Sequence, residues 1–359
     1  MKLVRLVSEL DFGGVEQVLA TAAESLRESS EVDVEIIVLG RGGRIADQLI
    51  RQGFQVHILN SSVRIPNLSL VFRLVQLLKT IRPNVVHTQG AEANFHGIWA
   101  ARLAGVRKII GEEIGIPNHH SYWKWIFRWL YQKADRVIAI SQTVKRHLLQ
   151  LKELEEDKIS VVYNPISSFL NQPVAGSDRS SSSFNWITIA RLVPIKNLDR
   201  LMQVFANLVE LCPDQVITLE IVGDGPERAK LEDLAKNLGI ASQVKFLGYQ
   251  SEVFPYLFEA DAFVLPSLSE GSSVALAEAM AAGLPSVVTA VGGAAEIVGE
   301  SKSALFIDPE DQDAIQTAML QIMNLNRAER TQWGEMAMQE AKRFDRMEHA
   351  RNLMVIYQS

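Results

Sequence analysis

The densest chemistry in this sequence lies in its second half. Arg191 and Lys196 stand five apart in the segment Ala190–Asn197, between a strand-like run and a helical one. A planar guanidinium and a point-charge ammonium in one strand-to-helix loop suit the oxygens of a diphosphate. Further on, Glu270-Gly271-Ser272-Ser273-Val274 leads from a short loop into a helix. Free backbone N–H groups at a helix start favour an anion, and small residues let it come close. Glu278 falls within the first turns of that helix, where a carboxylate can accept hydrogen bonds from two ribose hydroxyls. Glu270, just ahead of the helix, is placed to reach a sugar. Arg191, Lys196 and the helix start together could neutralise a diphosphate leaving group without a metal. No Asp-x-Asp pair at a strand end and no His/Cys cluster has ligand spacing, so the expectation is no metal and no cofactor. Gly223-Asp224-Gly225 reads as a turn, because the third glycine and downstream acid of a dinucleotide fingerprint are missing.

The elements that must position these residues follow from hydrophobic periodicity. Strands are expected at Leu3–Val7, Val34–Leu39, Val56–Leu59, Val85–His87, Lys108–Ile110, Arg136–Ile140 and Ile159–Val162. A second series is expected at Trp186–Ala190, Thr218–Val222, Val244–Leu247, Ala262–Leu265, Ser286–Val288 and Ala304–Ile307. Helical patterns fill the gaps, among them Val15–Leu26 and Leu68–Ile81. Apolar runs separated by helices predict parallel sheets covered on both faces. The fold class is therefore α/β, with two doubly wound domains. The N-terminal domain is expected over 1–166 and the C-terminal one over 185–339. A polar linker with four consecutive serines occupies 167–184. The last stretch reads as helix, with residues 340–359 able to pack back on the N-terminal domain. Ligands of such folds sit at the carboxyl ends of the strands.

The first half offers its own candidates at those ends. Asp11-Phe12-Gly13-Gly14-Val15-Glu16 allows a tight loop whose N–H groups, at a helix start, could face a donor phosphate. A plain strand-to-helix turn is the alternative. His87, Glu113 and His119 also lie near expected strand ends, and spacing does not choose among them. The run Tyr122–Tyr131 holds three tryptophans together with Lys124 and Arg128, and Lys133 follows. As a helix it suits a membrane surface; the alternative is that Trp125, Trp129 and Ile126 pack on the sheet.

Composition excludes several classes. At 359 residues, 47% hydrophobic and 22% charged, the chain suits two globular domains. No apolar run reaches the length of a membrane span, and Met1 leads straight into a strand pattern, which argues against a secretory signal. One cysteine, Cys212, excludes an intramolecular disulfide. A cytoplasmic protein is expected, peripheral at the inner face of a membrane. Residues 1–165 hold 21 Lys and Arg against 17 Asp and Glu, whereas residues 166–359 hold 15 against 25. The basic half is the better suited to an anionic surface. Nothing points to a nucleic-acid partner.

The constellation from Trp186 to Val298 resembles the retaining glycosyltransferases of family four (glycosyl transferases group 1), which have the GT-B fold. Glu270 and Glu278 match that family's two glutamates separated by seven residues. Arg191 and Lys196 match its Arg and Lys after the first strand of the C-terminal domain. The resemblance implies that Glu278 binds the ribose and Glu270 the donor sugar, while Arg191 and Lys196 hold the diphosphate. It places Gly13 and Gly14 at the donor and acceptor sites, and Gly271, Ser272, Ser273 and Val274 at the donor. The partners implied are a nucleotide-sugar and a glycan or lipid-linked acceptor of surface polysaccharide synthesis. One departure stands out: Ile114 occupies the position where many members carry a histidine. Two rival readings remain at this stage, a non-catalytic sugar-nucleotide-binding subunit and a nucleotide-sugar epimerase.

Overall fold

Short β-branched runs here become strands buried on both faces, because helices cover each side of two parallel sheets. A computed structural model describes residues 1–11, 13–29, 32–117, 122–167 and 183–359. His119 and most of the serine-rich linker lie outside the described residues, as does Phe12. The chain divides into two units, one of residues 1–166 with 344–359 and one of residues 167–343.

In the first unit the strands are β1 (Lys2–Val7), β2 (Asp33–Val38), β3 (Gln55–Ile58), β4 (Val85–Gln89), β5 (Lys108–Glu113), β6 (Arg136–Ala139) and β7 (Ile159–Val161). They form one parallel sheet in the order β3-β2-β1-β4-β5-β6-β7. Its helices are α1 (Gly14–Ser29), α2 (Arg44–Arg51), α3 (Leu68–Ile81), α4 (Ala91–Ala104), α5 (Trp123–Tyr131) and α6 (Gln142–Gln150). The strand order reverses between β1 and β4, so the loops that follow these two strands diverge and leave a crevice. Separate apolar clusters line the two faces, one built with α3 to α6 and the other with α1 and α2.

The second unit repeats the plan with β8 (Ser183–Ile189), α7 (Leu198–Leu211), β9 (Val216–Val222), α8 (Arg228–Asn237), β10 (Val244–Gly248) and α9 (Phe254–Leu257). Then come β11 (Ala262–Leu265), α10 (Val274–Ala281), β12 (Ser286–Thr289), α11 (Ala294–Val298), β13 (Ala304–Ile307), α12 (Gln312–Met323) and α13 (Arg327–Ala341). The sheet order is β10-β9-β8-β11-β12-β13, with its reversal between β8 and β11. Trp186, Phe205, Leu219 and Val264 sit at the centre of its core.

The helix expected at the C-terminus is broken in two. A single turn at Lys342–Phe344 ends α13, and Asp345 starts α14 (Arg346–Gln358) by accepting the N–H groups of Met347 and Glu348. Helix α14 belongs to the first unit, where Ala350, Leu353, Ile356 and Tyr357 join the α1 side of the core.

Candidate functional site

The reversal between β8 and β11 decides which loops meet. The loop after β8 carries Arg191 and Lys196, and the loop after β11 carries Glu270 and the start of α10. Leu268 N–H donates to the carbonyl of Ile195 (2.8 Å), stitching the two loops together. Asn197, buried and in the left-handed region at φ 56°, donates its amide to the carbonyls of Pro266 (3.2 Å) and Pro309 (2.9 Å). So held, Lys196 Nζ forms a short ion pair with Glu270 Oε1. Ser267 Oγ donates to the same oxygen at 3.0 Å. Both charged side chains are largely buried, which strengthens their attraction.

A third loop completes the support. Gly292 lies against Glu270 so closely that a Cβ would overlap the Glu270 carbonyl, and its φ of +59° also favours glycine. Thr289 Oγ1 donates to the Ser267 carbonyl at 2.7 Å. On the far side, the turn at Gly223–Gly225 braces the β8 loop through Leu192 N–H to Asp224 O and Glu227 N–H to Leu192 O. This supports the reading of that turn as a structural one.

At the start of α10, Ser273 Oγ accepts the N–H of Leu276 at 3.3 Å. Ser273 is thereby the helix cap, and the N–H groups of Val274 and Ala275 belong to the orphan donors of a helix start. Gly271 and Ser272 lead into it half-buried. One turn on, Glu278 is only 7% exposed and its carboxyl makes no hydrogen bond among the described residues. Burial, with the charge of Glu252 adding to it, pushes its carboxyl up to about 8. A buried acceptor of this kind is poised for hydroxyl donors. Arg191 is exposed, with no side-chain partner among the described residues. The structure thus brings together Lys196, Glu270 and the α10 start, and leaves Arg191 extended from the same loop. Sequence reasoning missed Ser267, Asn197 and Gly292. Of these only the paired glycine at 292–293, just after a strand, was visible as a signal.

Family models match along nearly all of the chain: glycosyl transferases group 1 over residues 178–340 and glycosyltransferase family 4 over residues 12–168. The chain belongs to the group 1 glycosyltransferases of family four. The Escherichia coli UDP-Gal:α-D-GlcNAc-diphosphoundecaprenol α-1,3-galactosyltransferase is 27% identical to it, over 86% of this chain and 84% of its own. The GPI3 subunit of the Saccharomyces cerevisiae phosphatidylinositol N-acetylglucosaminyltransferase is 24% identical, over 96% of this chain and 79% of its own. Anabaena HepE, solved with UDP and glucose, shares the fold with a TM-score of 0.82 at 21% identity, covering 100% of each chain. The architecture is GT-B.

In the first unit of this glycosyltransferase, Gly13 and Gly14 open α1, and Gln17 N–H donates back to Gly13 O at 3.0 Å. Glu16 folds its carboxylate against Gly13. Glu113 is the last residue of β5, as expected of a strand end, whereas β4 runs on past His87 to Gln89. Fully buried His87 pairs through Nδ1 with the Tyr357 hydroxyl (2.7 Å), and its Nε2 stands 2.9 Å from Glu112. Arg5 reaches both Glu112 (3.1 Å) and Gln89 (3.3 Å). Glu113 points to the opposite face, where it accepts the Tyr131 hydroxyl and the Asn94 amide. Both side chains are buried in this structure, His87 fully and Glu113 nearly so. Glu113 is a buried polar residue satisfied by its neighbours, whereas His87 Nε2, although close to Glu112, makes no hydrogen bond of good geometry.

The Arg5–Glu112–His87–Tyr357 cluster carries a pH dependence. Burial, reinforced by Arg5, pushes His87 down to about 4. Burial alone would raise Glu112, but His87 and Arg5 overcome it and hold it down to about 2. Unfolded His87 takes a proton near 6.5, so its contribution is complete above that pH and is lost as pH falls to about 4. Glu112 adds a loss from 4.5 toward 2, of the same sign. The first unit is therefore expected to lose a few kcal/mol of stability between pH 6.5 and 4. Thermal melts across that range check this, and His87→Gln should flatten the slope while lowering the melting temperature at pH 7.

Helix α5 starts at Trp123 and buries Phe127, Leu130 and Tyr131, not Trp125 and Trp129. Those two tryptophans are 70% and 50% exposed. Trp129 leans on Trp99 of α4, with ring centroids 4.5 Å apart, and Lys133 lies over its ring. No helix of the described residues is long and apolar enough to cross a membrane.

Proposed function

We propose that this glycosyltransferase is a retaining, metal-independent hexosyltransferase using a uridine-diphosphate sugar. The observation that carries this reading is the Lys196–Glu270 pair beside the α10 start, with buried, unpartnered Glu278 one turn away. The diphosphate would lie on the first N–H groups of α10, with Arg191 and Lys196 supplying positive charge. Glu278 would take the ribose hydroxyls and Glu270 the donor sugar. Sugar C1 parts from the phosphate oxygen as the acceptor oxygen bonds to it on the same face. The acceptor proton passes to the departing phosphate oxygen, so no enzyme carboxylate is consumed. Uridine is supported by the printed donor of the E. coli relative and by the UDP in HepE. Product analysis by NMR in the presence of EDTA tests this. An α-linked product from an α-linked donor is expected, and an inverted product or loss of turnover in EDTA would contradict it.

The acceptor is proposed to be lipid-linked, at an anionic membrane surface. Helix α3 packs on α4 and α4 on α5. This layer exposes Leu68, Phe72, Leu103, Trp125 and Trp129. It also carries Arg73, Lys79, Arg102, Lys124 and Arg128 against a single acid, Glu92. Apolar rings and cations without counter-charge fit a bilayer of anionic lipid. Trp125→Ser with Trp129→Ser is expected to weaken binding to phosphatidylglycerol vesicles about tenfold or more and to spare donor binding. Unchanged vesicle binding would remove the membrane from this reading.

A further inference from the structure

The glycine loop after β1 is anchored by a helix that takes no part in the site. Helix α2 begins at Arg44, and the residue before it, Gly43, has no side chain to cap it. Its orphan N–H groups are satisfied instead by the neighbouring loop. Asp11 Oδ1 accepts the N–H of Arg44 at 3.1 Å, and the Asp11 carbonyl that of Ile45 at 2.9 Å. The Leu10 carbonyl accepts the N–H of Ala46 at 3.2 Å. Leu10 N–H closes the zipper on Arg41 O at 3.3 Å. Three successive donors of one helix start thus converge on two residues from elsewhere in the chain. Gly43 is part of the fit, since a Cβ there would collide with both the Asp11 carboxylate and its backbone.

The place of this anchor matters more than its strength. Asp11 lies two residues before Gly13-Gly14. Gly13 has a φ of +150°, and nothing stands within 4 Å of a Cβ built on Gly14. Such a pair has wide conformational freedom. Downstream it is held by α1; upstream it is held by Asp11 on α2. An acid at this position also complements the positive end of the α2 dipole.

We infer that Asp11 is a positioning residue of the transfer reaction, capping α2 from outside so that the Gly13-Gly14 loop keeps its donor-ready shape. This rests on the reading that the glycine loop serves the donor. Steady-state kinetics of Asp11→Ala, Asp11→Asn and Gly13→Ala in the full chain separate the two claims. Asp11→Ala is expected to cost about tenfold in kcat/KM, and Asp11→Asn to restore most of it, because Asn caps a helix as well as Asp. Hydrogen exchange of the Arg44, Ile45 and Ala46 amides should rise in Asp11→Ala and stay low in Asp11→Asn. An Asn variant as poor as Ala would make the charge, not the cap, the active feature and overturn the inference. So would a normal Asp11→Ala enzyme beside an inactive Gly13→Ala one, which would leave the loop's own role intact. A Gly13→Ala enzyme with unchanged kinetics would instead remove the loop from the reaction, and the inference with it.

Discussion

Glu278→Gln is expected to make the free protein more stable and its donor complex much weaker. The carboxyl titrates near 4.5 when unfolded and near 8 in the fold, so the fold holds the proton more tightly. Stability from this group is complete below 4.5 and is lost as pH rises through 8. A neutral amide of the same shape escapes that loss. At pH 8 the variant should gain about 1–2 kcal/mol, the usual scale when a function-bearing burial is relieved. Donor binding should move the other way. Hydrogen bonds from two ribose hydroxyls to an ionised carboxylate are worth about 1.5–3 kcal/mol, so the dissociation constant should rise roughly tenfold to a hundredfold. Wild-type affinity should also tighten as pH rises toward 8, whereas the variant's should not. Thermal melts and donor titrations at pH 6 and pH 8 read both effects. A variant less stable than wild type at pH 8, or one that binds the donor normally, would show that Glu278 has another task.

The second large effect is on turnover. Lys196→Ala removes a buried cation from the proposed diphosphate site and leaves Glu270 with Ser267 as its remaining described side-chain partner. Losing one preorganised charge at a leaving group costs about a hundredfold to a thousandfold in kcat. The unpaired carboxylate would also repel the diphosphate, so KM for the donor should rise as well. Glu270→Gln in the same background removes that repulsion and should recover part of the KM but little of kcat. Single-turnover and steady-state rates of the two variants and the double variant check this. A double variant no better in KM than Lys196→Ala would argue that the pair does not act together.

How much of this was legible beforehand depends on what a side chain advertises. Apolar strands announced themselves: Ala262–Leu265 and Ala304–Ile307 end where the periodicity says they should. The polar ends of β4 and β5 did not. Thr88, Gln89, Glu112 and Glu113 read as loop, yet they extend the strands because Arg5, Asn94 and Tyr131 satisfy them inside. No local pattern foretells a partner more than a hundred residues away, such as Tyr357 for His87. The proposed donor site was legible because its residues fall in two short loops whose order along the chain is itself informative. Its supports were not, since Asn197 and Ser267 gain their meaning only from the sheet reversal that sets β8 beside β11. Helix α5 shows the same limit. Its composition marked it as amphipathic, but which aromatic residues turn inward followed from the packing of Phe127 and Tyr131 against α4 and β5.

The central claim is that the second unit holds a uridine-diphosphate sugar through Lys196, the α10 start and Glu278. Calorimetric titration of UDP-sugars and UDP into the full chain, in EDTA, tests it most directly. The account predicts saturable one-site binding in wild type, severe weakening in Lys196→Ala and Glu278→Gln, and no dependence on divalent cations. Absence of binding in EDTA that returns with a divalent cation, or equal affinity in all three chains, would contradict it.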